Sequence, residues 1–98
     1  VGQTIQINST AVIDQVLVID TDRSLAGQDG EAFSGRESAR TQPTFPARLA
    51  VRLFESDESI DHVFVMSNTV SVRRLPSWSE DDVKRAAQVV ADFFRFYP

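Results

Sequence analysis

The sequence predicts an α+β fold: a two-layer sandwich in which a four-stranded, mainly antiparallel sheet carries two helices on one face, in the order β-β-α-β-β-α. Three observations point there. Short β-branched runs stand at Val12–Ile19, Ile60–Met66 and Thr69–Arg74, each bounded by polar turn residues. Two later segments, Pro46–Glu55 and Ser79–Tyr97, space their apolar residues at the helical period. The strands lie close enough in sequence to form hairpins, so both helices bury their stripes most simply on the same side.

The opening residues 1–11 are expected to be a flexible lead-in. Val12–Ile19 (VIDQVLVI) is read as the first strand, and its polar break at Asp14-Gln15 points to an edge position or one wet face. The stretch 20–30 is turn-rich, with Gly27 and Asp29-Gly30 as breakers. Glu31–Ser34 (EAFS) follows as a short second strand, expected to pair with the first as a wide hairpin. Gly35–Thr44 is polar and without apolar periodicity, the pattern of a mobile loop.

Pro46 suits the first turn of a helix, where a missing N–H costs nothing. Leu49, Leu53 and the Val51–Phe54 segment supply the buried stripe of that helix. Ser56–Ser59 forms an acidic turn. Ile60–Met66 and Thr69–Arg74 are expected to be a hairpin joined by Ser67-Asn68. In the second of these strands, Val70 and Val72 face one way while Thr69, Ser71 and Arg73 face the other. The first is apolar on both faces, as a central strand would be. Ser79 is a good N-cap, with Asp82 three residues on as its reciprocal partner. Val83, Ala86, Ala87, Val90, Phe93, Phe94 and Tyr97 follow the helical period, and Phe96 falls off that stripe.

Ninety-eight residues suit one domain, with 42% hydrophobic residues to fill a core. No run of 18 apolar residues occurs, so no membrane span is expected. The first residues lack a basic stretch followed by an apolar one, so no secretory leader is expected and a cytoplasmic setting is the default. Cysteine is absent, which removes disulfides, thiolate metal sites and thiol nucleophiles together. The net charge of −4 argues against nucleic acid as a partner.

Two clusters compete as functional sites. Ser71, Arg73, Arg74 and Trp78 combine residue types enriched at protein-binding hot spots. The structural role is equally concrete: Trp78 closes the core under the last helix, and the arginines guard an edge strand. The alternative is a small metal- or ligand-binding protein using Asp57, Glu58, Asp61 and His62, whose oxygens and one imidazole suit a divalent cation. Against that, Asp61 and His62 point to opposite sides if both lie in a strand. Asp20, Asp22, Ser24, Gln28 and Glu31 have the spacing of a calcium loop. Leu25 replaces its turn glycine, though, and strands flank it instead of helices. His62, the one histidine, has no nucleophile elbow near it, and no acid–base–nucleophile set can be assembled.

Ala47–Phe54, Ile60, Val63-Phe64-Val65, Thr69–Arg74 and Trp78, taken in order, resemble the N-terminal domain of Nfu/NifU-type iron–sulfur scaffold proteins. Leu17-Val18-Ile19, Leu25 and Ala32-Phe33-Ser34 fit the same pattern upstream, so the likeness runs from about Val16 onward. The family's opening Thr-Pro-Asn-Pro-Asn motif is absent, and Met66-Ser67 stands where it has a glycine pair. In the larger scaffolds a separate domain holds the cluster through Cys-x-x-Cys. A cysteine-free chain cannot do so by thiolates. The resemblance therefore implies an accessory module that docks a protein partner, an iron–sulfur assembly component, or a stand-alone relative with another role; the residues themselves predict a non-enzymatic chain without a cofactor. Ser71, Arg73, Arg74 and Trp78 are the expected contact residues. Reversing the charge of both arginines is expected to abolish capture and spare the melting temperature.

Overall fold

The structure, a computed structural model, describes residues 6–96, with side chains through Phe93. Its elements are β1 (Ile7–Ile13), β2 (Val16–Thr21), β3 (Glu31–Phe33), α1 (Arg36–Arg40), α2 (Phe45–Ser56), β4 (Ile60–Met66), β5 (Thr69–Arg74) and α3 (Glu80–Phe96). The strands form one sheet in the order β1-β2-β5-β4-β3, and every neighbouring pair is antiparallel. The α+β class holds. Among the described residues the sheet has five strands where four were expected, and there are three helices where two were expected.

The fifth strand comes from the run read as one. Asp14 adopts φ 55°, so Asp14-Gln15 is the turn of a hairpin and Ile13 pairs directly with Val16. Aspartate tolerates this left-handed conformation better than most residues. The polar pair is thus a chain reversal and not a wet patch on an edge. Residues 7–11, expected as lead-in, belong to β1, while residues 1–5 lie outside the described part.

β3 does not pair with the first strands. It lies at the far edge against β4, with Phe33 opposite Val63. The 22–30 connection reaches it by crossing the tip of the β4–β5 hairpin. Leu25 and Ala26 donate to the Ser67 carbonyl at 2.6 and 3.1 Å, and Ser67 donates back to the Gly27 carbonyl at 3.1 Å. Buried Thr21 fixes the start of that crossing: its Oγ1 donates to the Asn68 carbonyl at 3.0 Å, and Asn68 Nδ2 returns a bond at 2.9 Å. At its end Gly30 has φ +73° and abuts β4, where a Cβ would sit 2.8 Å from Phe64 Cζ. Only glycine fits there without displacement.

The stretch expected to be a mobile loop contains α1. Its one apolar residue of note, Ala39, is buried, and Arg36 reaches Glu55 of α2 at 2.8 Å. Five residues are too few for a periodicity to show. Thr44 caps α2 by accepting from the Ala47 amide at 3.3 Å. Ser79 and Asp82 form the expected reciprocal cap of α3: Asp82 N–H donates to Ser79 Oγ at 3.1 Å, and Ser79 N–H donates to Asp82 Oδ2 at 3.2 Å.

All three helices contribute to a single core. Leu49, Ala50 and Leu53 of α2, Ala86, Val90 and Phe93 of α3, and Ala39 of α1 pack on Leu17, Ile19, Val63, Val65, Val70 and Val72. Burying each Leu or Val is worth roughly 1.5–3 kcal/mol. A one-residue slip would turn a whole strand inside out, so the register is fixed by this pattern. Phe45 and Phe93 meet edge to face, with centroids 4.9 Å apart. Tyr97 lies outside the described residues, as do the side chains of Phe94 and Phe96. Among the described residues no helix is long and apolar enough to cross a membrane.

Candidate functional site

With the helices on one side, the other face of the sheet has no layer over it among the described residues. Burial makes the asymmetry plain. On the helix side, Leu17, Ile19, Thr21, Ile60, Val63, Val65, Val70, Val72 and Arg74 are all buried. On the open side no residue of any strand is buried.

The registers sort that open face into rows. The central row crosses all five strands: Ala11, Val18, Ser71, Phe64 and Ala32 stand side by side. It is apolar except for Ser71 at its middle. One neighbouring row is Ile13, Val16, Arg73 and His62. The other is Ser9, Asp20, Thr69 and Met66, where Ser9 and Thr69 hydroxyls hold the Asp20 carboxylate at 3.1 and 2.9 Å. Ile13 (63%) and Met66 (39%) are among the most exposed large apolar residues of the chain. The arrangement is an apolar strip flanked on both sides by rows that mix apolar residues with polar groups.

Arg73 stands on this face. A bulge between Ile60 and His62 swings Asp61 alongside it, and the carboxylate accepts from Arg73 Nε at 2.9 Å and Nη2 at 3.0 Å. Those bonds hold the Asp61 carboxyl below the usual carboxylate range and raise the Arg73 guanidinium above its own. The Nη1 donors of Arg73 are not engaged by Asp61 and remain for another acceptor.

Arg74 is a different case, and the expectation that both arginines share the wet surface is corrected. Its side chain points to the helix side and is 8% exposed. Its Nη1 bonds Asp57 at the end of α2 and lies 3.3 Å from Asp82 at the start of α3. Its guanidinium stacks 5.2 Å from the centre of the Trp78 ring. Trp78 in turn donates from Nε1 to the Gln15 carbonyl at 2.9 Å, which also receives the Arg74 amide at 3.2 Å. Arg74 and Trp78 thus clasp the β1–β2 turn to the entry of α3. Strand alternation, which assigns Arg74 to the same side as Val72, was the signal that separates it from Arg73.

The acidic turn does not converge. Asp57 is committed to Arg74 and to the Ser59 amide at 2.9 Å, Asp61 turns to Arg73, and Glu58 is exposed. His62 is half-buried on the open face. Among the described residues no group of three His, Asp or Glu side chains is placed to hold a metal ion. Ser71, expected as a contact residue, lies at the centre of the open face. Val18, Phe64 and Ala32, its row neighbours, were assigned to strands but not to a surface. For Phe64 the signal is a strand apolar on both sides, which marks a central position equally well.

No protein-family model matches this chain, and no curated protein matches it. Among solved structures, the X-ray crystal structure of protein SAV1430 from Staphylococcus aureus is similar, with a TM-score of 0.63 at 15% identity. The match covers 86% of this chain and 96% of that one. At this identity the likeness shows a shared fold and nothing of function.

Proposed function

We propose that this chain is a non-enzymatic docking module that meets a protein partner through the helix-free face of its sheet. One observation carries the reading: the row Ala11, Val18, Ser71, Phe64, Ala32 runs across five strands with no layer above it among the described residues. Covering apolar surface of this kind is favourable, and a rigid sheet loses little freedom when covered. Arg73, already extended by Asp61, adds a directional donor at the rim. The resemblance of Ala47–Phe54, Val63–Val65, Thr69–Arg74 and Trp78 to the Nfu/NifU N-terminal domain supports an iron–sulfur assembly component as the partner. Without cysteine the module's part is recognition, and the cluster stays on the partner.

Titration calorimetry of this chain against a Cys-x-x-Cys cluster-scaffold domain from the same genome tests the reading. Binding is expected for the wild type and loss of at least tenfold in affinity for Val18→Glu and for Arg73→Glu, each with its thermal transition preserved. Equal affinity in all three proteins rejects the open face as the contact surface. Absence of any binding rejects that partner class.

A further inference from the structure

The free edge of the sheet is a second, separate surface. Among the described residues β1 is hydrogen-bonded to β2 on one side only, so there its outer side presents the N–H and C=O groups of an edge strand. Its sequence, INSTAVI, holds no proline and no charged residue, the usual devices that blunt such an edge. Its one irregularity lies at the start, between Ile7 and Ser9. The helix layer also stops short of it. Thr10 and Val12 are in register with fully buried Ile19 and Leu17, yet both are exposed, Val12 by 45%. A groove runs beside them, walled by Trp78, Glu80, Val83 and Lys84 at the start of α3.

We propose that a second copy of this chain occupies this edge, β1 pairing antiparallel with β1 to give one continuous ten-stranded sheet. A strand paired antiparallel with its own copy generates a two-fold axis, so the surface on either side must complement itself. The charges do. Glu80 and Lys84 are one helical turn apart, both face the groove, and neither makes an ion pair among the described residues. Across a two-fold axis the two α3 helices run in opposite directions. Glu80 of each copy then comes opposite Lys84 of the other, with Val12 and Val83 enclosed between them. Opposite charges in this order match their own reverse, which an unrelated strand has no reason to do.

Sedimentation velocity of the wild type and of two charge variants decides the matter. The wild type is expected at the mass of two chains at hundred-micromolar concentration. Glu80→Lys alone and Lys84→Glu alone are each expected at the mass of one, because like charges then face each other. An equimolar mixture of the two variants is expected to return to the mass of two, which a mere loss of folding cannot imitate. Hydrogen exchange supplies the second readout, with β1 amides losing protection when the wild type is diluted. A wild type that stays monomeric overturns the proposal and leaves the edge to a strand from another protein. A wild-type dimer indifferent to both variants also overturns it. Arg73→Glu, on the other surface, is expected to leave the dimer intact, so failure here and failure of the docking reading are told apart.

Discussion

Arg73 and Arg74 are adjacent in the chain and lie on opposite faces of the same sheet. Arg73 is paired with Asp61 on the open side, while Arg74 is buried between the ends of α2 and α3 with Asp57 and Asp82. Two residues of one chemical type therefore do different jobs, and their variants should part company. Arg74→Ala leaves Asp57 and Asp82 facing each other in a largely covered site with only the half-exposed Arg85, 3.9 and 3.3 Å away, as a cation. It is expected to lower unfolding free energy by roughly 2–4 kcal/mol. Arg73→Ala is expected to move the urea midpoint little, because its pair is exposed. Denaturant melts of both variants check this, and reversing the two charges together should not spare stability.

The reciprocal cap of α3 gives a second expectation. Ser79→Ala removes the acceptor of the Asp82 amide and should cost about 1 kcal/mol. Asp82→Ala should cost more than Ser79→Ala, since that carboxylate serves both the cap and Arg74. Thermal melts that rank the pair in the other order would separate the cap from the ion cluster.

Gly30 is held at φ +73° with the Val65 carbonyl and the Phe64 ring against its α-carbon. Gly30→Ala combines a left-handed backbone with a Cβ 2.9 Å from a main-chain oxygen. A loss of about 2 kcal/mol or more is expected, because backbone cannot swing aside as a side-chain tip can. Loss of β3 amide protection in hydrogen exchange should accompany it.

Acid should weaken the fold through two carboxylates. Bonds from Arg73 lower Asp61, and bonds from Ser79 lower Asp82. A group depressed in the folded state stabilises above its unfolded value, about 4 for aspartate. That contribution fades as the pH falls through the lower folded value. Stability is expected to be flat from neutrality down to about pH 5 and to decline below pH 4. Asp61→Asn should flatten part of that decline, measured by urea melts across the range.

Part of this was legible in the residues. Periodicity placed α2, α3, β4 and β5, since those segments are long enough for a stripe or an alternation to repeat. Ser79 and Asp82 announced their cap because capping is local chemistry. Ser67-Asn68 announced its turn for the same reason. Asp14-Gln15 did not, because it lacks glycine and sits within an otherwise continuous β-branched run. α1 was hidden in a polar stretch whose only buried side chain is Ala39. Alternation puts Ser71 and Arg73 on a surface but does not do so for Val18, Phe64 and Ala32 beside them. A residue's row neighbours belong to other strands, and the sequence does not state their register.

By itself the chain determined its class: amphipathic segments of these lengths can bury their apolar sides only as helices laid on a sheet. Which strand neighbours which was decided in three dimensions, where β5 inserts between β2 and β4 and β3 is carried to the far edge. The same packing drew Arg74 inward and left Arg73 outside. The physical reason is that local preferences act over a few residues, whereas the partner of a strand or a buried charge is chosen by contacts far apart in the chain, at Gln15 and Trp78, Asp57 and Arg74, Thr21 and Asn68.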